Sequence, residues 1–348
     1  MISTIPFCHT QKDISKSEAT ENNRRLGKAV SEMNETIWFI YQDKKSNYWF
    51  SSKEKGVFSY DGKELIHYTK EDGLVSNQIR EIQEDSIGNL FFETTIGVSK
   101  FDGKSFSTLA VKSEKHNSNH WRLKPSDLWF RIGFNKRGPY RYDGEALYYL
   151  EFPKSPQEDE FNKKGVVNYS PYGIYSIYKD REGVMWFGTT SLGLCRFDGQ
   201  SFGWYYEEQL QTTPNGGDFG SRAIFEDKEG FFWLNNTRFR YKFKSQNNNK
   251  IDFEKENGIG HLNVSGKVAY PFFLSITQDN EGDLWMVTYA DGVWRNNGKE
   301  LIHYPVKDGD SEVLLFSIFK DNKGLLWLGT FDKGVYKFNG ETFEKFKI

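Results

Sequence analysis

The sequence predicts an all-β protein, a seven-bladed β-propeller with four antiparallel strands per blade. Three observations predict it. The first is composition: the 348 residues include 30 Phe, 19 Tyr, 10 Trp and 32 Gly, but only seven Ala. A chain so poor in the best helix former lacks the stock for a helical bundle, whereas aromatics and glycines suit strands and tight turns. The second is an internal repeat in which an Asp precedes an aromatic by six residues. The third is an Asp-Gly or Asn-Gly pair between alternating runs, the strongest short-range hairpin signal.

The repeat can be followed from residue 36 to 348. Asp43…Trp49, Asp180…Trp186, Asp227…Trp233, Asp279…Trp285 and Asp321…Trp327 keep the spacing, and Asp85…Phe91 keeps it with a Phe. A further copy around Trp129 lacks the Asp but keeps Leu-Trp-Phe. The key aromatics at 49, 91, 129, 186, 233, 285 and 327 are 38 to 57 residues apart. An apolar alternating strand precedes each Asp turn. After the aromatic strand come a polar turn with Gly, a second alternating strand, the Asp-Gly or Asn-Gly turn and a last short strand. The copy around Trp233 is the most degraded and lacks that second Gly turn. Four strands per unit of 40-odd residues is a propeller blade. Blades are expected near 36–69, 75–109, 120–150, 172–204, 221–254, 272–304 and 313–348, in one domain over 25–348. Gly-Lys-Glu-Leu-Ile-His-Tyr at both 62–68 and 298–304 points to duplication between blades. Since each blade has its four strands, the ring is expected to close without strand exchange; the alternative places an extra strand from 25–35 on the last blade.

Residues 1–24 read as a flexible polar tail. A Cys followed by a polar linker looks like a mature lipoprotein start, but the stretch before Cys8 is too short for a signal core and Phe7 is not small. A lipid anchor therefore requires a true start upstream of Cys8. Cys195 sits in an alternating run and is expected to be buried. With 46 basic and 48 acidic residues, net charge −2, nothing demands a nucleic-acid or membrane partner, and the apolar runs are too short for a membrane span.

The pattern Ile-x-x-Asp-x-x-Gly-x-Leu-Trp-x-Gly-Thr, continued by Gly-Leu-x-x-Phe-Asp-Gly, resembles the two-component regulator propeller repeat. The resemblance covers 36–348. It implies a sensory propeller of hybrid two-component systems, a role in signal transduction, and a periplasmic or cell-envelope location, although no signal peptide is visible. In such sensors further domains, a membrane span and a kinase usually follow. Here the chain ends in its last predicted strand, so a stand-alone propeller is expected.

The repeat residues explain themselves structurally and carry no chemistry. Asp279-Asn-Glu-Gly-Asp283 has too few ligands for calcium and reads as an Asx-type turn. The six His are not at metal-ligand spacing; only His120, beside Trp121, is placed near a site. No phosphate loop or nucleophile elbow appears, so no metal, cofactor or catalytic residue is assigned. The long inter-blade stretches 110–120, 151–171, 205–220 and 254–271 emerge on the face opposite the Asp turns, and variable loops on a rigid scaffold are where binding concentrates. Candidate ligand residues there are Trp38, Gln78, Trp121, Tyr172, Arg222 and Phe273 at the starts of inner strands. Arg131, Asn236, Tyr289 and Asp332 follow the aromatic strands. The turn Gly133–Gly138, two residues longer than its counterparts, and Trp204-Tyr205-Tyr206 add to this face. Aromatic platforms with Arg, Asn and Asp suit an oligosaccharide, a peptide or a partner protein. The leading expectation is a non-enzymatic binding propeller. The alternatives are a propeller lyase or hydrolase with a site in the central pocket, and a structural scaffold in an envelope assembly.

Overall fold

A computed structural model describes residues 26–33, 35–113, 120–163, 165, 167–213, 217–260, 262–264, 267–269, 271–288 and 291–348. It is a β-propeller. Helix among the described residues is confined to Glu158–Asn162, Glu208–Gln211 and one short turn at Lys70–Asp72. The chain runs through successive antiparallel meanders in sequence order. Their inner strands are Ile37–Gln42, Ile79–Glu84, Ile174–Lys179, Ile224–Glu226, Phe273–Gln278 and Leu315–Lys320.

The Asp-to-aromatic spacing has a direct physical meaning. In five blades the indole Nε1 donates to the carboxylate six residues earlier, at 2.7–2.9 Å in Trp49–Asp43, Trp186–Asp180, Trp233–Asp227, Trp285–Asp279 and Trp327–Asp321. The other carboxylate oxygen accepts turn N–H groups, as Asp180 does from Val184 at 2.8 Å. One carboxylate thus closes the hairpin and fixes the Trp rotamer. Asp85, with a Phe downstream, takes the Asn89 side chain instead, at 2.7 Å.

The fixed aromatic is pushed into the next blade. Each hydrophobic cluster joins two consecutive blades: Trp49 packs with Ile79, Ile82 and Phe92; Phe91 with Phe130 and Leu147; Trp129 with Phe187 and Trp204; Trp186 with Phe232 and Phe253; Trp233 with Phe273 and Met286; Trp285 with Leu315 and Leu328. The last cluster places Trp327 against Ile37, Phe50 and Phe58 of the first blade, and the ring is closed. The Tyr48 hydroxyl donates to Asp321 across this join at 2.6 Å. At Gly193 the backbone is left-handed (φ +79°) and a Cβ would run into the Tyr205 carbonyl, which is why the second turn of the repeat is glycine.

The structure departs from the sequence expectation in three places. Lys28–Val30 does add a strand, but antiparallel to Leu65–Tyr68 on the outer edge of the first blade, not the last. In the third blade no strand forms over the described residues 120–127, where Pro125 removes a donor; its sheet starts at Leu128–Phe130. Val111–Ser113, expected as loop, instead pairs parallel to Leu147–Tyr149 on the outside. In the fifth blade an Asn248-Asn249 turn, with φ of 49° and 61°, replaces the missing Asp-Gly and closes a long hairpin, Phe239–Asn247 with Lys250–Asn257. Lys250 pairs parallel with Trp204, so the fourth and fifth blades form one eight-stranded sheet. Cys195 is buried; Cys8 and the tail lie outside the described residues.

Removing one carboxylate should expose its double duty. We predict that Asp180→Ala costs about 1–3 kcal/mol, the penalty for orphaned buried donors. In a Trp186→Phe background it should cost measurably less. Urea unfolding of the four proteins tests this; equal costs in both backgrounds would refute the indole bond as the source. Asp321 adds a pH effect. Burial alone would raise its pKa, but hydrogen bonds from Tyr48, Trp327 and the turn backbone together hold it below the ordinary Asp value. Stability from a depressed carboxylate is present above its unfolded pKa and lost as pH falls through the folded one. The urea midpoint should therefore fall below about pH 4, the ordinary Asp range, and Asp321→Asn should flatten that acid limb.

Candidate functional site

Five inner strands share an irregularity. Pairing with the aromatic strand slips between Ile37 and Phe39, Ile79 and Glu81, Ile174 and Ser176, Phe273 and Ser275, and Leu315 and Ser317. The residue at each slip, Trp38, Arg80, Tyr175, Leu274 or Phe316, is left unpaired. Bulges re-aim side chains, and all five line one central cavity of about 590 Å³ at the starts of the inner strands, on the face of the inter-blade loops. That volume is in the range of small-molecule sites. Trp38 stacks on Phe316 (ring centroids 5.1 Å apart, 14° between planes), and Phe39 and Phe331 meet Phe316 edge-on. Larger hollows of about 800 and 700 Å³ lie elsewhere, one between the last two blades beside Asp279 and Lys337, the other along Lys28–Glu32. They gather no comparable set of bulge residues.

At three of the bulges the following residue is a Ser that ties neighbouring blades. Ser176 Oγ donates to the Ser221 carbonyl (2.8 Å), Ser317 Oγ to the Trp38 carbonyl (2.5 Å), and Ser275 Oγ accepts from Ile318 N (3.1 Å). At the third blade, where no inner strand forms among the described residues, Arg131 bridges the gap. Its guanidinium donates to the Tyr175 carbonyl on one side and the Arg80 carbonyl (3.4 Å) on the other. It also pairs with Glu93 (3.1 Å) and Glu81 (3.2 Å). Arg80 Nη1 returns a bond to the Arg131 carbonyl at 3.0 Å. Glu93 is wholly buried and Glu81 partly exposed. Burial, with Glu93 adding, pushes Glu81 above the ordinary carboxylate range against the pull of Arg131 and Arg80.

Arg222 is held differently. Asn235, itself left-handed (φ 57°), accepts from Arg222 N and Ala223 N at 2.9 and 3.1 Å, and donates to the Gly220 and Leu210 carbonyls. This fixes the short segment before the fifth inner strand. Arg222 Nε donates to the Phe219 carbonyl (2.7 Å), and its guanidinium lies 4.2 Å from the Tyr175 ring centroid.

Of the residues expected at the site, Trp38, Arg131 and Arg222 meet in the cavity. The other described ones do not line it. Gln78 is exposed beside Thr95, and Asp332 is exposed. Trp121 packs on Trp129, Phe152, Phe197 and Phe202 between blades and donates to the Glu151 carbonyl at 3.1 Å. Tyr172 is buried with its hydroxyl accepting from Ser155 N, and Phe273 is core. Asn236 is buried and donates to the Gln209 carbonyl at 3.0 Å. Trp204 is buried, and His120 stacks on Tyr148. Tyr289 lies outside the described residues. The long turn contributes Phe134, which covers Arg80 at 4.1 Å and lines the cavity. Arg80, Glu81, Tyr175, Leu274 and Phe316 escaped the sequence reading. Their signal was present: apolar residues three apart, as in Ile37…Ile40 and Ile79…Ile82, break the alternation where the bulge falls. Among the described residues no group of three or more His, Cys, Asp or Glu is placed to hold a metal ion, and no helix is long and apolar enough to cross a membrane.

The fold and its pore place the chain in the class of β-propellers. Its repeat is similar to that of the two component regulator propeller, whose family model matches residues 168–191. Comparison with curated proteins gave no match. Solved structures are similar in fold. The extracellular domain of a protein described as the hybrid two component system BT4673 of B. thetaiotaomicron is 19% identical, with TM-score 0.58, over 89% of this chain and 39% of that one. Virginiamycin B lyase from Staphylococcus aureus is 14% identical, with TM-score 0.62, over 89% of this chain and 97% of that one. PorZ, a surface component of the type-IX secretion system of Porphyromonas gingivalis, is 17% identical, with TM-score 0.58, over 88% and 46%. The chain thus spans about two fifths of the length of the two-component chains it matches.

Arg131→Ala should leave Glu93 buried and unpaired, and we predict a loss of about 3–5 kcal/mol. Adding Glu93→Gln should recover part of it. Denaturant unfolding decides: a double variant no more stable than Arg131→Ala would mean that the lost carbonyl bridges, not the stranded charge, dominate.

Proposed function

We propose that the chain is a non-enzymatic, sensor-like binding propeller that takes a small ligand in the central cavity, on the inter-blade loop face, outside the cytoplasm. The observation that carries this reading is the convergence of five bulge residues and the pinned Arg222 on one open cavity. A rigid ring presenting aromatic faces and fixed polar groups at a pore mouth is a binding arrangement. The likeness to extracellular domains of two-component systems supports it. The likeness to the lyase, a variant of which lacking a histidine is described as catalytically inactive, would favour an enzyme had a His faced the cavity; the described lining contains none.

Screening neutral and acidic oligosaccharides and short peptides by thermal shift tests the reading. A ligand at a hundredfold excess over its Kd stabilises by about 2.7 kcal/mol. We predict that Leu274→Trp, which fills the cavity, and Trp38→Ala, which removes its stacked wall, abolish the shift while the circular dichroism spectrum is kept. A shift retained in both variants would move the site elsewhere.

A further inference from the structure

The charges around the cavity do not cancel. Arg80, Arg131 and Arg222 line it, with Glu81 beside them and Glu93 behind. Arg131 occupies both carboxylates. Among the described residues, Arg80 and Arg222 have no carboxylate within ion-pair distance, so the central cavity itself carries surplus positive charge. Arg80 is largely covered, buried under Phe134 with Nη1 spent on the Arg131 carbonyl.

Arg222 is the free group. Its Nε is used by Phe219, and its planar face lies against Tyr175. The two terminal nitrogens meet no acceptor among the described residues. A guanidinium so oriented presents a ready pair of parallel N–H donors, the geometry that matches a carboxylate. Beside it a second hollow of about 300 Å³ opens between Phe134, Tyr169, Tyr175 and Phe219, with Thr190 and the carboxylate of Asp218 also on its wall. It shares Phe134 and Tyr175 with the central cavity. A molecule anchored at Arg222 therefore has an aromatic-walled shelf next to its anchor, suited to a ring face.

Resting on the cavity as the site, we infer that it selects a carboxylate carried next to a ring. The Arg222 fork binds the carboxylate, and the ring lies in the side hollow against Tyr175 and Phe134. A sugar acid and the C-terminal carboxylate of an aromatic peptide share this chemistry. Isothermal titration with two matched pairs separates the sources: a disaccharide ending in glucuronate against its glucose counterpart, and a tripeptide ending in Phe with a free against an amidated C terminus. In at least one pair the acid should bind about tenfold or more tighter than its neutral partner, the size of a charge-assisted hydrogen bond. Arg222→Gln should erase that difference, and Arg222→Lys should not restore it, because a point charge lacks the fork. Both variants should keep the wild-type circular dichroism spectrum and cooperative unfolding without ligand, with a melting temperature lowered only by the lost Phe219 bond and Tyr175 contact. Equal binding of acid and neutral partners, acid binding untouched by Arg222→Gln, or no binding of either acid overturns the assignment. If a neutral probe binds and Leu274→Trp blocks it, the cavity stands as the site while its carboxylate preference falls.

Discussion

The bond between an Asp and the indole six residues later carries the architecture. A carboxylate in a hairpin turn can satisfy the turn amides with one oxygen and still offer the other. Given a Trp at the right place in the next strand, that oxygen locks a large ring into one direction. The ring leaves its own blade and enters the next, so a local hydrogen bond becomes a long-range contact. Repeated around the chain, it makes every blade depend on its neighbour. The first and last blades then meet through the same Trp-in-pocket contact as any other pair. Trp129 shows the exception: with no Asp six residues earlier its Nε1 has no partner among the described residues, and it belongs to the blade whose described residues form no inner strand.

That gap shapes the pore. At three joins a Ser next to the bulge ties one blade to the next with a single hydroxyl. Where the strand is missing, Arg131 spans the space, with two carboxylates to neutralise it. The same cavity therefore contains two arginines with opposite duties. Arg131 is saturated by protein groups and supports the wall, while Arg222 is held by its backbone and Nε and keeps its terminal nitrogens available. Residue type alone could not separate them, because the difference lies in what else has been brought within reach.

Much of the fold could be read from the sequence because its determinants are local. The Asp-to-Trp spacing, the left-handed glycines and the Asp-Gly turns each act within a few residues. The bulges were also written in the sequence, as apolar residues three apart, yet a strict alternation template passes over them. The site reading accordingly fell one to three positions away from the cavity lining in several blades. It named Phe273 for Leu274, Gln78 for Arg80 and Tyr172 for Tyr175, and took Asn236 where Asn235 does the positioning. Trp121 failed for another reason. The missing third inner strand could not be foreseen from a pattern that the other blades keep, so a residue expected at the pore became packing between blades.

The eight-stranded sheet gives the ring an uneven mechanical character. Where Trp204 meets Lys250, backbone pairing continues from one blade into the next, so these two blades respond to load as a single plate. Next to that plate lies the third blade, joined to its neighbours at the pore by the side chains of Arg131, Arg80 and Gln83. The side hollow with Tyr175 and Phe219 sits along this boundary. A stiff sector beside a pinned joint concentrates deformation at the joint, much as a cracked rim flexes beside its reinforced segment.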